Sequence, residues 1–180
     1  MFARFALIAA SRWSVDYCAS VGIAFEATTW ACGGVYLIEA AQSGRFFAPV
    51  EGGELMAWVD VFGPDAETPV DAVAWPIDQP DCVLTLVGEA VALGEAAALN
   101  SATYAAEGAL RLHRRPVDWL RSGCEGACIV DQVAGPRWLL DLPPGRWAAE
   151  DRAHAAELLA GMQGLIDRNR FVLARQPQAA

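Results

Sequence analysis

The spacing of apolar and polar positions changes character along this chain. Residues 3–24 are rich in Ala, Leu and Ile and predict a helix. In TTWACGGVYLIEA, Gly33–Gly34 predicts a turn and Val35–Glu39 a strand, and Gly44 closes that unit. RFFAPV and ELMAWVDVF are apolar alternating runs on either side of Glu51–Gly52–Gly53, the pattern of a β-hairpin. Gly63–Pro64–Asp65 marks a second turn, VDAVAW a third strand, IDQPD a connector and CVLTLVG a fourth strand.

Beyond Gly88 the rhythm becomes helical. EAVALGEAAALNSATYAAEGAL predicts helix in its first half, weakened by Gly94 and stopped near Asn100. Leu110–His113 reads as a short strand. Pro116 suits the first turn of a helix, where its missing N–H has no partner to lose, so a helix is expected over Pro116–Arg121 with Gly123 closing it. ACIVD is a continuous apolar run, as in a buried strand, and RWLLDL reads as one more strand. Residues 149–163 give the clearest helix: Ala155, Leu158, Leu159 and Met162 recur at helical spacing, and Leu165 and Ile166 extend that face.

Strands come first and helices are interspersed later. The expected fold is therefore α+β: a single domain over 1–180 with a mixed β-sheet flanked by helices. Residues 1–44 would form an N-terminal helix and strand, 45–175 the α+β core with its C-terminal amphipathic helix, and 176–180 a frayed tail. Val73, Leu84, Leu86, Leu112, Ile129 and Val130 are the expected core.

Composition adds constraints on chemistry. The 54% hydrophobic content and seven Trp supply a large core, and leave room for apolar surface that a partner or second copy would cover. The net charge of −9 opposes general binding to nucleic acid or anionic membranes. All 13 basic residues are Arg. Sites that need a lysine amine, such as a Walker-type phosphate loop or a pyridoxal phosphate site, therefore lack their central residue. Five cysteines cannot all pair within one chain. No run of ~18 apolar residues free of charge suggests a membrane span. The expected setting is cytoplasmic, with reduced thiols.

Three groups of residues are candidates for chemistry. Cys124 and Cys128 form C-x3-C, but a second ligand pair for zinc is missing, and a tight turn into a strand explains them equally. Glu150, His154 and Glu157 share a helix face beside the apolar stripe, which fits acid–base work or a solvated surface. The span Phe46–Leu110 holds no Arg or Lys and carries a charge of −11. Within it Asp60 and Asp71 end and begin adjacent strands; with Asp131 they are the candidate ligands for Mg²⁺, the one cofactor considered, although Asp beside turns is also favoured for its own backbone bonding.

The opposite sign gathers in RLHRRPVDWLRSG, where Arg111, Arg114, Arg115 and Arg121 outweigh Asp118. With His113 they form a candidate anion- or partner-binding cluster ahead of a helix N-terminus. Its partner would be the chain's own acidic residues, within one chain or across a homodimer, or a protein, a nucleic-acid backbone or a small anion.

The order VDAVAW…VGEAVALG…LRLHRRPVDWLRSGCEGACIVD resembles small uncharacterised proteins of high-GC bacteria and of their prophages and mobile elements. The resemblance spans about residues 45–160 and rests on an apolar strand, an LG step and a PxxWLRxG…G step before an apolar strand ending in Asp. It implies a role near replication functions and assigns no residue, since that group has no established activity. Pro80–Val87 is poorer in Trp and Arg than the group's pattern. Three readings follow: a non-enzymatic binding or accessory protein acting through the arginine cluster, linked to mobile-element nucleic-acid processing; a metal-dependent hydrolase of phosphate esters; and a structural homo-oligomer. The first is favoured.

Overall fold

The computed structural model describes residues 12–165. Their elements run α1 (Arg12–Ser20), α2 (Phe25–Cys32), β1 (Tyr36–Ser43), β2 (Phe46–Pro49), β3 (Glu54–Phe62), β4 (Pro69–Pro76), β5 (Leu84–Thr85), β6 (Ala92–Leu93), α3 (Glu95–Leu99), a 3₁₀ segment (Ser101–Glu107), β7 (Ala109–His113), α4 (Pro116–Arg121), β8 (Ala127–Ile129), α5 (Gly135–Asp141), β9 (Arg146–Ala149) and α6 (Arg152–Gly164). The fold is α+β, as expected, but its strands divide between two sheets. Five close into a barrel in the order β1-β2-β5-β4-β3, and four form a mixed sheet in the order β6-β8-β7-β9.

The barrel differs from the hairpin read in the sequence. β2 does not pair with β3; β1 lies between them, with Ala40 opposite both Pro49 and Glu54. The Glu51–Gly53 connection instead crosses the end of β1. There the Glu39 carbonyl accepts from Val50 N–H and the Glu39 carboxylate from Gly52 N–H. β1 is thus central to the barrel. Closure comes from β2 running parallel to β5 through Phe46 and Thr85, which removes the sheet edges.

Alternation along the strands sorts the core. Ala40, Phe47, Met56, Ala72, Ala74 and Leu84 form one cluster within the barrel strands. The intervening residues Ala57, Val59, Val61, Val73 and Trp75 face a second cluster shared with Cys18 of α1, Cys32 of α2, Leu93, Trp119, Leu120 and Cys128. The second sheet is divided in the same way. Cys128 of β8 faces the barrel, while its neighbours Ala127 and Ile129 pack with Leu110, Leu112, Leu139 and Leu142 under α5 and α6. Of the expected core residues, Val73, Leu84, Leu112 and Ile129 are buried, and Leu86 and Val130 are half-buried.

Several element assignments change. α2 was not anticipated. CVLTLVG gives only the two residues of β5 before the chain leaves the barrel. RWLLDL is helical, the C-terminal part of α5, and β9 follows where no strand was read. Gly94, read as a weakness within a helix, is the αL residue from which α3 starts. The expected helix over residues 3–24 is described only from Arg12, and Ile166 and the 176–180 tail lie outside the described residues.

Two glycines set how closely the second sheet can pack. A Cβ on Gly94 would lie 2.2 Å from the Gly126 carbonyl oxygen, and one on Gly126 would lie 2.2 Å from the Arg111 carbonyl oxygen. Both hold positive φ, +78° and +80°. A Gly126→Ala variant therefore combines left-handed strain with a backbone clash. It is expected to lose more than about 2 kcal/mol in urea unfolding, whereas Gly123→Ala, at φ +75° with nothing within 4 Å of its Cβ, should lose about 1 kcal/mol. Equal losses would contradict the close-approach explanation.

Candidate functional site

The arginine cluster is built on the exit from β7 and on α4. Pro116 starts α4 as expected, and Trp119 and Leu120 anchor it inward, 3% and 1% exposed. That anchoring leaves Arg115, Asp118 and Arg121 on the outer side. Each clustered arginine meets carboxylates of its own chain. Arg114 forks onto Asp151 at 3.0 and 3.2 Å and reaches Glu157 at 3.4 Å. Arg115 forks onto Asp118 at 2.6 and 3.1 Å and approaches Asp81 at 3.8 Å. Arg121 bonds Asp118 at 2.9 Å and the Val21 carbonyl at 2.6 Å. Arg111, more than half exposed, is 3.8 Å from Glu125.

The partners are mostly not the acidic span of residues 46–110. Asp81 alone comes from it; Asp118, Glu125, Asp151 and Glu157 come from later in the chain. Asp118 shows the balance of forces: burial opposes its ionisation, but the Arg115 and Arg121 guanidiniums hold its carboxyl below the ordinary range. His113 is buried, donates through Nε2 to the Glu125 carbonyl at 3.0 Å, and places Nδ1 3.4 Å from Glu150. Arg114 thus ties the β7 exit to α6, Arg115 and Arg121 pair with Asp118 inside α4, with Arg121 also reaching the Val21 carbonyl, and Arg111 and His113 meet Glu125 after α4; the five residues do not converge on an open anion site.

The candidate metal ligands do not meet. Asp60 lies opposite Ala72, and Asp71 lies opposite Val61. This one-residue offset sends adjacent carboxylates to opposite faces of the pleat. Asp60 accepts from Trp58 Nε1 at 3.0 Å. Asp131, after β8, takes Arg45 at 2.7 Å and closes the turn that leads into α5 by accepting from the Val133 and Ala134 N–H groups. Among the described residues no group of three or more His, Cys, Asp and Glu side chains is placed to hold a metal ion.

Asp71 has a different task. It is 3% exposed and accepts from the Thr85 hydroxyl and from six backbone N–H groups, those of Ala72, Leu86, Val87, Gly88, Glu89 and Ala90. Burial raises its pKa, but these donors outweigh burial and hold it below the ordinary value. Seven donors occupy its oxygens, so a cation would have to displace the backbone of residues 86–90.

The sequence reading missed a cleft between barrel and second sheet. Its cavity, about 60 Å³, is lined by Cys32, Asp60, Phe62, Leu93, Glu95 and Trp119 among others. Cys124 Sγ lies 3.9 Å from Cys32 Sγ, though the two are 92 residues apart. Cys124 holds φ +64°, left-handed backbone that costs an L residue about 1 kcal/mol or more. Its S–H points at Cys32, which lowers the Cys32 pKa and raises that of Cys124. Burial raises the carboxyl pKa of both Asp60 and Glu95. The nearest sequence signal is Cys124 itself in its C-x3-C spacing with Cys128, and that spacing does not point to Cys32.

No family model, curated protein or solved structure matches the chain.

His154 was read as a surface residue but is 5% exposed on α6. Its Nδ1 accepts from Glu150 N–H at 3.3 Å, a bond that needs the neutral ring. Burial, then the Arg114 charge, lowers its pKa against the opposing pull of Glu150, Glu157 and Asp151. A base with a depressed folded pKa stabilises the fold above its unfolded pKa of about 6.5 and loses that contribution as pH falls. Melting temperature should therefore drop between about pH 7 and 5 and again below about pH 4, as Asp71, Asp118 and Asp131 protonate. His154→Gln should remove the upper drop and keep the lower one. An unchanged upper drop in the variant would rule out His154 as its source.

Proposed function

We propose that the protein is a non-enzymatic binding or accessory protein that works through protein–protein contact, with a second copy of its own chain as the occupant of the α5–α6 face. The observation that carries this reading is the exposure of Leu140 on α5 and Leu159 on α6, each 52%, together with Val133 at 84% just before α5. These two helices pack on each other, with Gly161 of α6 against Pro136 of α5, and bury Leu139 beneath them. α6 turns Leu158 and Met162 toward the core and leaves Leu159 and Leu165 outside. Large exposed apolar side chains on both helices of one layer fit a surface that a second copy covers.

The arginine cluster supports this reading in a supporting role. Its side chains are engaged by carboxylates, and Arg114 would position α6 through Asp151 and Glu157 rather than bind phosphates. A link to mobile-element biology rests on the order of segments along the chain, and would run through a protein partner. The setting is taken as cytoplasmic; among the described residues no helix is long and apolar enough to cross a membrane.

Sedimentation across a concentration series tests the reading. A dimer is expected, and Leu140→Glu with Leu159→Glu should give a monomer of unchanged melting temperature. A wild-type monomer at all concentrations would overturn the proposed occupant. In parallel, short oligonucleotides should not bind. Salt-dependent binding with a log–log slope near about −3, lost in Arg114→Glu/Arg115→Glu, would instead establish the nucleic-acid reading.

A further inference from the structure

We infer that Cys32 and Cys124 are a redox-reactive thiol pair that a small hydroperoxide converts to a disulfide. This goes beyond the proposed function and does not depend on it. The two sulfurs already touch, at 3.9 Å, and must approach to about 2.05 Å to bond. The approach falls to Cys124, which is half-buried in the turn between α4 and β8, while Cys32 is fixed at the end of α2 with its S–H donating to the Thr28 carbonyl at 3.2 Å.

Access favours a small oxidant. Cys32 is 2% exposed, but its side chain lines the 60 Å³ cavity. That space admits a molecule the size of hydrogen peroxide and excludes a peptide disulfide. The contact with Cys124 also favours the Cys32 thiolate, the form that attacks. The other cysteines lack this arrangement: burial pushes the Cys18 thiol up to about 11 and raises Cys128 as well.

The steps balance. The Cys32 thiolate attacks one peroxide oxygen, an S–O bond forms, the O–O bond breaks, and hydroxide leaves to become water; Cys32 is then a sulfenic acid. The Cys124 sulfur attacks the Cys32 sulfur, the S–S bond forms and the S–O bond breaks. The departing hydroxide takes the Cys124 proton as a second water. Two thiols lose two protons and two electrons, and one peroxide becomes two waters. A dithiol reverses the change by exchange.

The test uses the full chain, reduced, desalted and treated with hydrogen peroxide at neutral pH, then denatured and alkylated. All five cysteines are free in the structure. Five thiols are expected before treatment and three after, with the Cys32 and Cys124 peptides linked in a non-reducing map, a raised melting temperature, and full recovery with dithiothreitol. In Cys124→Ser a dione probe should trap sulfenic acid at Cys32 and no link should form. The wild-type map stands whether or not that variant folds. Five thiols surviving peroxide that oxidises a free thiol in the same tube would overturn the inference. So would a link through Cys18, or oxidation confined to Cys82.

Discussion

The carboxylate of Asp71 is the point on which the two halves of the molecule depend. It sits in β4, inside the shared core, and gathers the backbone of residues 86–90 around itself. That segment is where the chain leaves the barrel at β5 and enters the second sheet at β6. A chain turning away from a strand exposes a row of N–H groups, and burying them unpaired would cost about 1–3 kcal/mol each. One ionised side chain satisfies them together. The next residue, Val91, then accepts from Val130 and Asp131 at the end of β8. The crossover is thus pinned on the barrel side by Asp71 and on the sheet side by β8, while Arg45 bridges the two sides through Asp131 and Gly88.

Polar groups elsewhere follow the same rule. Of the arginines that stand out in the sequence, Arg114 is fastened to acids of α6 and its N-cap and holds the β7 exit against that helix, while Arg115 and Arg121 both close on Asp118 of their own helix. Gly94 and Gly126 permit the backbone contact that brings α3 against β8, and Trp119 Nε1 donates to the Gly126 carbonyl at 3.2 Å beside it. The cleft lined by Cys32, with Cys124 against its sulfur, opens where these close approaches meet the barrel. Its two sulfurs are neighbours only because α2 and α4 both pack on the common core, so its chemistry is a product of the fold and not of any local motif.

Local signals were legible where they acted alone. Pro116 gave the start of α4 to the residue, the period of residues 149–163 gave α6, and the apolar run gave β8. Non-local effects were not legible. The run CVLTLVG has strand composition, and Leu86 N–H still reaches the Ala72 carbonyl, but Asp71 claims the N–H groups from Val87 onward and turns the chain away from the barrel. RFFAPV and ELMAWVDVF look like a hairpin because nothing in their spacing shows that β1 inserts between them. RWLLDL could be strand or helix by its apolar content; Pro136 in the first turn and the Asp131-closed turn ahead of it decide for helix. The candidate chemistry fared likewise. Asp71 stood out, and an acid inside the buried run VDAVAW has to be bonded, yet its seven donors come mostly from a segment that reads as strand. The pairing of Cys32 with Cys124 crosses 92 residues and leaves no spacing to find.

Native-state hydrogen exchange of the amides of residues 87–90 tests the role of Asp71 most directly. These residues lie outside any strand, so without the carboxylate their N–H groups would exchange at the rates of an exposed loop. At neutral pH their protection is expected to match that of the β3 and β4 amides and to vanish as a unit in Asp71→Asn. Loop-like exchange in the wild-type protein, or protection that survives the substitution, would contradict the role assigned to Asp71.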